Sequence, residues 1–298
     1  FHPLSATSFF ECNDGGLYRT QDAGANWNDI SNGLGIGQIY RISAKSPIPN
    51  HIITGLQDNG TKELYNNLWS ESPPGGDGME CIIDYTNGNI QYAGIQNGRI
   101  YKTTNAWQNS TVIVDNTTTG VDEAGAWVTP YLMHPTYNNT LIVGKSQVYQ
   151  STNGGTSWSQ LGTISGMVGK IKSMAYAPSN PQVIYIASSN EIFKTTNGGL
   201  SWSLLTSSTL PITYLAVDPN NASRVWLSNS GYVTADKVWL IDGNGNWTNY
   251  SGTLPNVPVN CIVYENGSAE GLYVGTDLGV YYRNSSMNDW LPFATNLL

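Results

Sequence analysis

The chain is 298 residues long with a formal charge of −8, and only 11% of it is Asp, Glu, Lys or Arg, against about a quarter in an ordinary domain. A negative chain whose Lys and Arg form no basic stripe excludes a nucleic-acid partner. No apolar run reaches the roughly 18 residues that span a bilayer, so no membrane insertion is expected.

In chain order, Phe9-Phe10 opens the first apolar strand, and Tyr18-Arg-Thr-Gln-Asp-Ala-Gly-Ala-Asn-Trp27 pairs a second strand with a tight turn and a closing tryptophan. Leu64-Tyr-Asn-Asn-Leu-Trp69 is the same hairpin with a shortened turn. Tyr101-Lys-Thr-Thr-Asn105 begins it again and loses the pattern at Trp107. Two full copies follow, Tyr149 to Trp158 and Glu191 to Leu205, the latter with its tryptophan at Trp202. Trp239 to Trp247 keeps Asp242 but places Asn244 where the glycine belongs, and Tyr282 to Trp290 keeps only the frame.

The chemistry of each copy is that of a hairpin. Asn197 can bond its own backbone across the turn, Gly199 can take the positive φ the turn needs, and Trp202 offers a large apolar plate to a neighbouring unit. The closing tryptophans recur about every 44 residues, which is the spacing of a propeller blade, and give seven units. In the fifth unit the four strands are expected at residues 171–177, 183–188, 191–196 and 202–205.

Thr20 to Trp27, Ser151 to Trp158 and Thr195 to Trp202 resemble the Asp-box (BNR) repeat of sialidases, sortilin-type propellers, xyloglucanases and secreted bacterial propellers described as glycosyl hydrolase-like. Asn153 and Asn197 replace the acidic residue. The resemblance implies an all-β fold: a single seven-bladed β-propeller of four-stranded blades with Asp-box hairpins, eight blades being the alternative. It implies one domain over 1–298 within a larger secreted protein, placed outside the cell or on its surface. Sialidase chemistry is not expected, because Arg19, Arg41, Arg99, Arg224 and Arg283 form no carboxylate-binding triad.

In such a fold the second-to-third strand loops and the blade-to-blade connections surround the channel and carry function. Asp14, Asp58 and Asp277 occupy three of those loops, and Ser72-Pro-Pro-Gly-Gly-Asp-Gly-Met-Glu80 brings Asp77 and Glu80 to the same face. Asp14, Asp58, Asp77 and Glu80 are therefore the candidate ligand-binding acids, with Tyr40, Trp127 and Tyr232 as aromatic platforms. Gathered carboxylates repel unless a cation or a donor-rich sugar offsets them, so Asp14, Asp58 and Asp77 are also the candidate metal ligands, with calcium as the ion. His2, His51 and His134 are too scattered for a metal triad, and Cys12, Cys81 and Cys261 are expected as buried free thiols on strands.

Two functions follow. One is a module that binds a glycan or a surface protein through its acidic, aromatic-edged face, alongside further domains of the same polypeptide. The other is a glycoside hydrolase with paired carboxylates, about 5 to 5.5 Å apart for retention or about 6.5 to 9.5 Å for inversion.

Overall fold

A computed structural model describes residues 5, 7–13, 16–33, 37–45, 48 and 50–293. By contact density the chain separates into two compact units, Phe1–Gln96 with Ile100–Thr111, and Asn97–Arg99 with Val112–Leu298. Among the described residues it forms seven successive antiparallel sheets, as the tryptophan period predicts.

The first sheet holds Phe9–Asn13, Gly16–Thr20 and Asn28–Asp29. Its last two strands flank the Asp22 turn, so these three are the second to fourth strands of the repeat. The second sheet is Ile39–Ala44, Ile52–Leu56, Gly60–Tyr65 and Leu68–Ser72. The third is Cys81–Ile83, Gln91–Ile95, Arg99–Thr103 and Thr111–Val114. The fourth and fifth are Tyr131–Met133, Leu141–Gly144, Val148–Ser151, Ser159–Gln160 and Ser173–Tyr176, Ile184–Ala187, Glu191–Thr195, Ser203–Ser207. The sixth is Ile212–Val217, Val225–Asn229, Val238–Ile241 and Trp247–Asn249, and the seventh Val259–Tyr264, Leu272–Thr276, Gly279–Arg283 and Leu291–Pro292. One turn of 3-10 helix at Gln96–Gly98 is the only helical element among the described residues. No helix there is long and apolar enough to cross a membrane.

The repeated turn is built the same way in four copies. The hydroxyls of Thr20, Thr103, Ser151 and Thr195 donate to the side-chain oxygens of Asp22, Asn105, Asn153 and Asn197 at 2.8–3.0 Å. The same hydroxyls accept the amides of Gly24, Trp107, Gly155 and Gly199 at 2.8–3.0 Å. Those four residues have φ of 94°, 63°, 93° and 93°, the left-handed region where glycine is cheapest. Trp107 therefore keeps the turn that its sequence obscures. Its indole donates to Gln91 at 2.6 Å in a buried site, offsetting the strain.

The turn's last contact follows charge. Asp22 and Asp242 accept from the side-chain amides of Asn26 and Asn246 at 2.7 and 2.8 Å, whereas Asn153 and Asn197 donate to the hydroxyls of Ser157 and Ser201 at 2.8 and 2.9 Å. An acceptor is met by a donor, and a donor by an acceptor.

Within the second unit the turns lock consecutive sheets together. The indoles of Trp158, Trp202, Trp247 and Trp290 donate to Ile113 O, Leu161 O, Thr206 Oγ1 and Tyr250 O at 2.9, 2.9, 2.9 and 2.6 Å, each acceptor on or just after the preceding sheet's outer strand. Trp158 and Trp290 are buried, while Trp202 and Trp247 are half-buried. The core accordingly lies between sheets. Tyr185, Ala187 and Ile192 pack on Leu215, Val217 and Leu227, and Ala216, Trp226 and Leu240 pack on Ile262, Leu272 and Val274. Each Val, Leu or Ile among these contributes about 1.5–3 kcal/mol by burial.

Two expectations need correction. Trp27 and Trp69 are 42% and 60% exposed, not interlocking plates. The two-residue Asn66-Asn67 turn, both residues at positive φ, sets Trp69 on the same face as Lys62 and Glu71. All three cysteines are free and on strands, but only Cys81 is buried; Cys12 is exposed.

Candidate functional site

The second sheet and its exit connection build a cleft of about 480 Å³, lined by residues 58–62 and 71–76. Its frame is main chain. After Ile52–Leu56 the chain reverses through Asp58 at φ 56° and Gly60 at φ 64°. The connection then folds back on that turn: Gly60 N donates to Gly76 O at 2.8 Å and Gly78 N to Leu56 O at 2.9 Å. Met79 N and Glu80 O next exchange bonds with Gly94 at 2.9 and 2.8 Å, which carries the connection into the third sheet.

The predicted acids are placed as follows. Asp77 is buried, with Oδ1 accepting the Asp58 amide at 2.6 Å and Oδ2 the Gln96 side chain at 2.8 Å. Asp58 thus meets Asp77 through its N–H, an arrangement that pins a turn and not one in which two carboxylates share a cation. Glu80 lies 3.2 Å from the Arg41 guanidinium; burial pushes its carboxyl up and Arg41 opposes the shift. The Tyr40 hydroxyl donates to Gln57 at 3.2 Å, at the base of the same turn. Asp14 lies outside the described residues. Among the described residues no three His, Cys, Asp or Glu side chains are grouped to hold a metal ion. Trp127 and Tyr232, 52% and 69% exposed, belong to the second unit.

Two cleft residues were not legible in the sequence. Thr61 and Ser72 stand opposite each other across adjacent strands, and the hydroxyl oxygen of each is buried with no hydrogen-bond partner in the protein. Leaving a buried hydroxyl unpaired costs about 1–3 kcal/mol, so any opening of the cleft wall that let a polar group reach the pair would be favoured. On the other strand face Lys62 bonds Glu71.

A second polar cluster in the other unit is structural. Glu123 accepts from Ser146 N and Oγ at 3.0 and 2.6 Å, from the Tyr149 hydroxyl at 2.8 Å and from the Lys170 ammonium at 2.8 Å. Beneath it the fully buried Lys145 donates to the carbonyls of Val121 at 2.9 Å and of Glu123. Together they hold down the connection between the third and fourth sheets. Burial opposes ionisation of Glu123, but the bonds from Lys170, Ser146 and Tyr149 outweigh it and hold the carboxyl down to about 2. A carboxyl whose folded pKa is depressed stabilises above its unfolded value, and that stability is lost as pH falls from 4.5 towards about 2. Glu123→Gln should therefore flatten this limb of the stability profile in chemical denaturation at stepped pH. An unchanged acid limb would mean that Glu123 is not what couples folding to pH there.

No protein-family model matches the chain, and no curated protein matches it by sequence. Solved structures do. An ancestral GH74 enzyme superposes with a TM-score of 0.70 at 18% identity over 97% of this chain and 40% of its own, and the Niastella koreensis GH74 enzyme with 0.65 at 16% over 96% and 52%. YCF48 bound to D1 peptide superposes with 0.58 at 15% identity over 85% of this chain and 80% of its own. These neighbours are propellers, and the seven sheets match them. The chain is a seven-bladed β-propeller. At these identities the likeness establishes the fold alone. The propeller spans about two fifths to one half of the length of the two GH74 enzymes.

The propeller's loops also depart from the sequence reading in one place. The second-to-third connection of the sixth blade, where Asn229-Ser230-Gly231 reads as a short hairpin turn, runs over 230–237, against 188–190 in the fifth blade. No turn signal marks its far end, which is tied down by hydrogen bonds instead: the Asn229 and Trp239 side chains donate to Asp236, and the Lys237 ammonium donates to the Gly231 carbonyl.

Proposed function

We propose that this propeller is a noncatalytic binding module of the cell exterior, built on Asp-box turns, whose first-unit cleft takes an extended segment of a protein partner. The observation that carries this reading is the open cleft itself, whose wall presents Lys62, Glu71 and the backbone of residues 73–76, with the orphaned hydroxyls of Thr61 and Ser72 buried directly behind it. Alternating N–H and C=O groups of an extended peptide suit such a wall. No aromatic ring lines it, so a sugar has nothing to stack on. YCF48, a neighbour of the same fold, was solved with a peptide. Hydrolysis finds less support, since Asp77 and Glu80 are both engaged by donors.

A displayed library of random peptides, selected on the wild-type protein, tests this. Thr61→Val keeps shape and removes a hydroxyl; Lys62→Glu reverses the cleft's one ammonium. Selected peptides should bind both variants about tenfold or more weakly, the loss expected for a buried hydrogen bond or a reversed charge. Equal binding to folded variants would remove the cleft as the site.

A further inference from the structure

We infer that the sixth blade carries a second site, independent of the cleft, that binds one ring of a neutral saccharide. A cavity of about 220 Å³ is lined by Ser207, Ser208, Thr209, Asp236, Trp239 and Trp247. That is below the roughly 300 Å³ at which drug-sized pockets begin, and suits a single ring.

The chemistry of the lining selects the ligand. Trp239 and Trp247 stand edge to face, with ring centroids 5.5 Å apart and planes at 78°. Both are held rigid through their indole N–H groups, Trp239 donating to Asp236 Oδ1 at 2.7 Å and Trp247 to Thr206 Oγ1 at 2.9 Å. Their faces are therefore apolar and electron-rich with no donor left over. The C–H face of a pyranose is apolar and slightly positive, and its rim is hydroxyl. Asp236 supplies the acceptor for that rim: Oδ1 is occupied by Asn229 and Trp239, while Oδ2 has a single long contact, 3.2 Å, from the Thr209 hydroxyl. Ser207 and Thr209 add exposed hydroxyls. A carboxylate accepting from vicinal hydroxyls makes short charge-assisted bonds.

Packing accounts for part of this arrangement, since both tryptophans lie against the core between the fifth and sixth blades. It does not account for the choice of Trp239. Three residues before the turn position, four other copies carry Arg19, Lys102, Gln150 and Lys194 and the last carries Tyr282; only here, three before Asp242, is the residue a tryptophan. The same blade has the extended 230–237 connection, and that extension is what delivers Asp236. Two departures from the repeat thus converge on one cavity.

Intrinsic tryptophan fluorescence reads the site directly. Cellotetraose, xylotetraose, mannotetraose and galactotetraose are titrated into the wild-type chain. At least one should produce a saturable change, weakened about tenfold or more by Asp236→Ala and by Ser207→Arg, which fills the mouth from an exposed position without removing a packed group. Thr61→Val should leave that response unchanged, so failure of the cleft reading and failure of this one are distinguishable. No response to any of the four sugars, or a response that survives both Asp236→Ala and Ser207→Arg, would overturn the site.

Discussion

Gly78→Ala should destabilise the first unit by about 3 kcal/mol or more, the upper range for forcing volume into a packed site. A Cβ at Gly78 would lie 2.1 Å from Gly60 O, 2.6 Å from Gly60 C and 2.8 Å from Gly55 Cα. Every one of these atoms is backbone, so no side chain can rotate away; the exit connection must lift off the strand it crosses. Gly55 makes the same demand from below, its own Cβ position falling 2.2 Å from Met79 O. Lifting the connection would break the Gly78 N to Leu56 O bond and shift Asp77 from the Asp58 amide, so the peptide binding proposed for the cleft should fall as well. Gly75 is the control. Nothing lies within 4 Å of its Cβ position, and Gly75→Ala should be close to neutral. Urea midpoints that fall equally for the two alanines would show that the crossing at Gly78 is not tight.

The second large effect is expected at Trp158. Trp158→Ala should cost about 3–5 kcal/mol, as for a buried aromatic replaced by a methyl group. The ring is 8% exposed, and its N–H donates to Ile113 O at 2.9 Å. The surroundings cannot collapse to fill the space, because the turn is fitted to the same neighbour: a Cβ at Gly155 would meet Ile113 Cδ1 at 2.6 Å, and one at Gly120 would meet Trp158 O at 2.3 Å. Trp158→Phe separates the contributions, since it keeps most of the buried ring and orphans a carbonyl, costing about 1–3 kcal/mol. Trp69→Ala, at a 60% exposed ring, should stay within about 0.5 kcal/mol. Should Trp158→Ala unfold at the wild-type temperature, the indole bond and the fitted turn would not be what joins these sheets.

What the amino-acid sequence by itself determined is local and periodic. Seven units, four-stranded order and strand limits in the fifth blade within two residues all follow from turn chemistry and alternation, which act over a few residues. Even the obscured third copy obeyed it, with Thr103 and Asn105 imposing the turn on Trp107. The cleft's region was legible too, because the connection from Ser72 to Glu80 was too long and glycine-rich for a simple turn. Its chemistry was not. Asp77 and Glu80 looked like free acids, yet Asp77 is engaged by Asp58 N and Gln96, and Glu80 by Arg41. Trp27 and Trp69 share a frame with Trp158, and only the latter is buried. Thr61, Ser72 and Asp236 matter through partners they lack or gain across strands. Tertiary structure decided these because each depends on groups between seven and 45 residues away, brought together by strand pairing and sheet stacking. A hydrogen bond's worth is set by whether its groups are buried and paired, and that is a property of the packed interface rather than of the residue type.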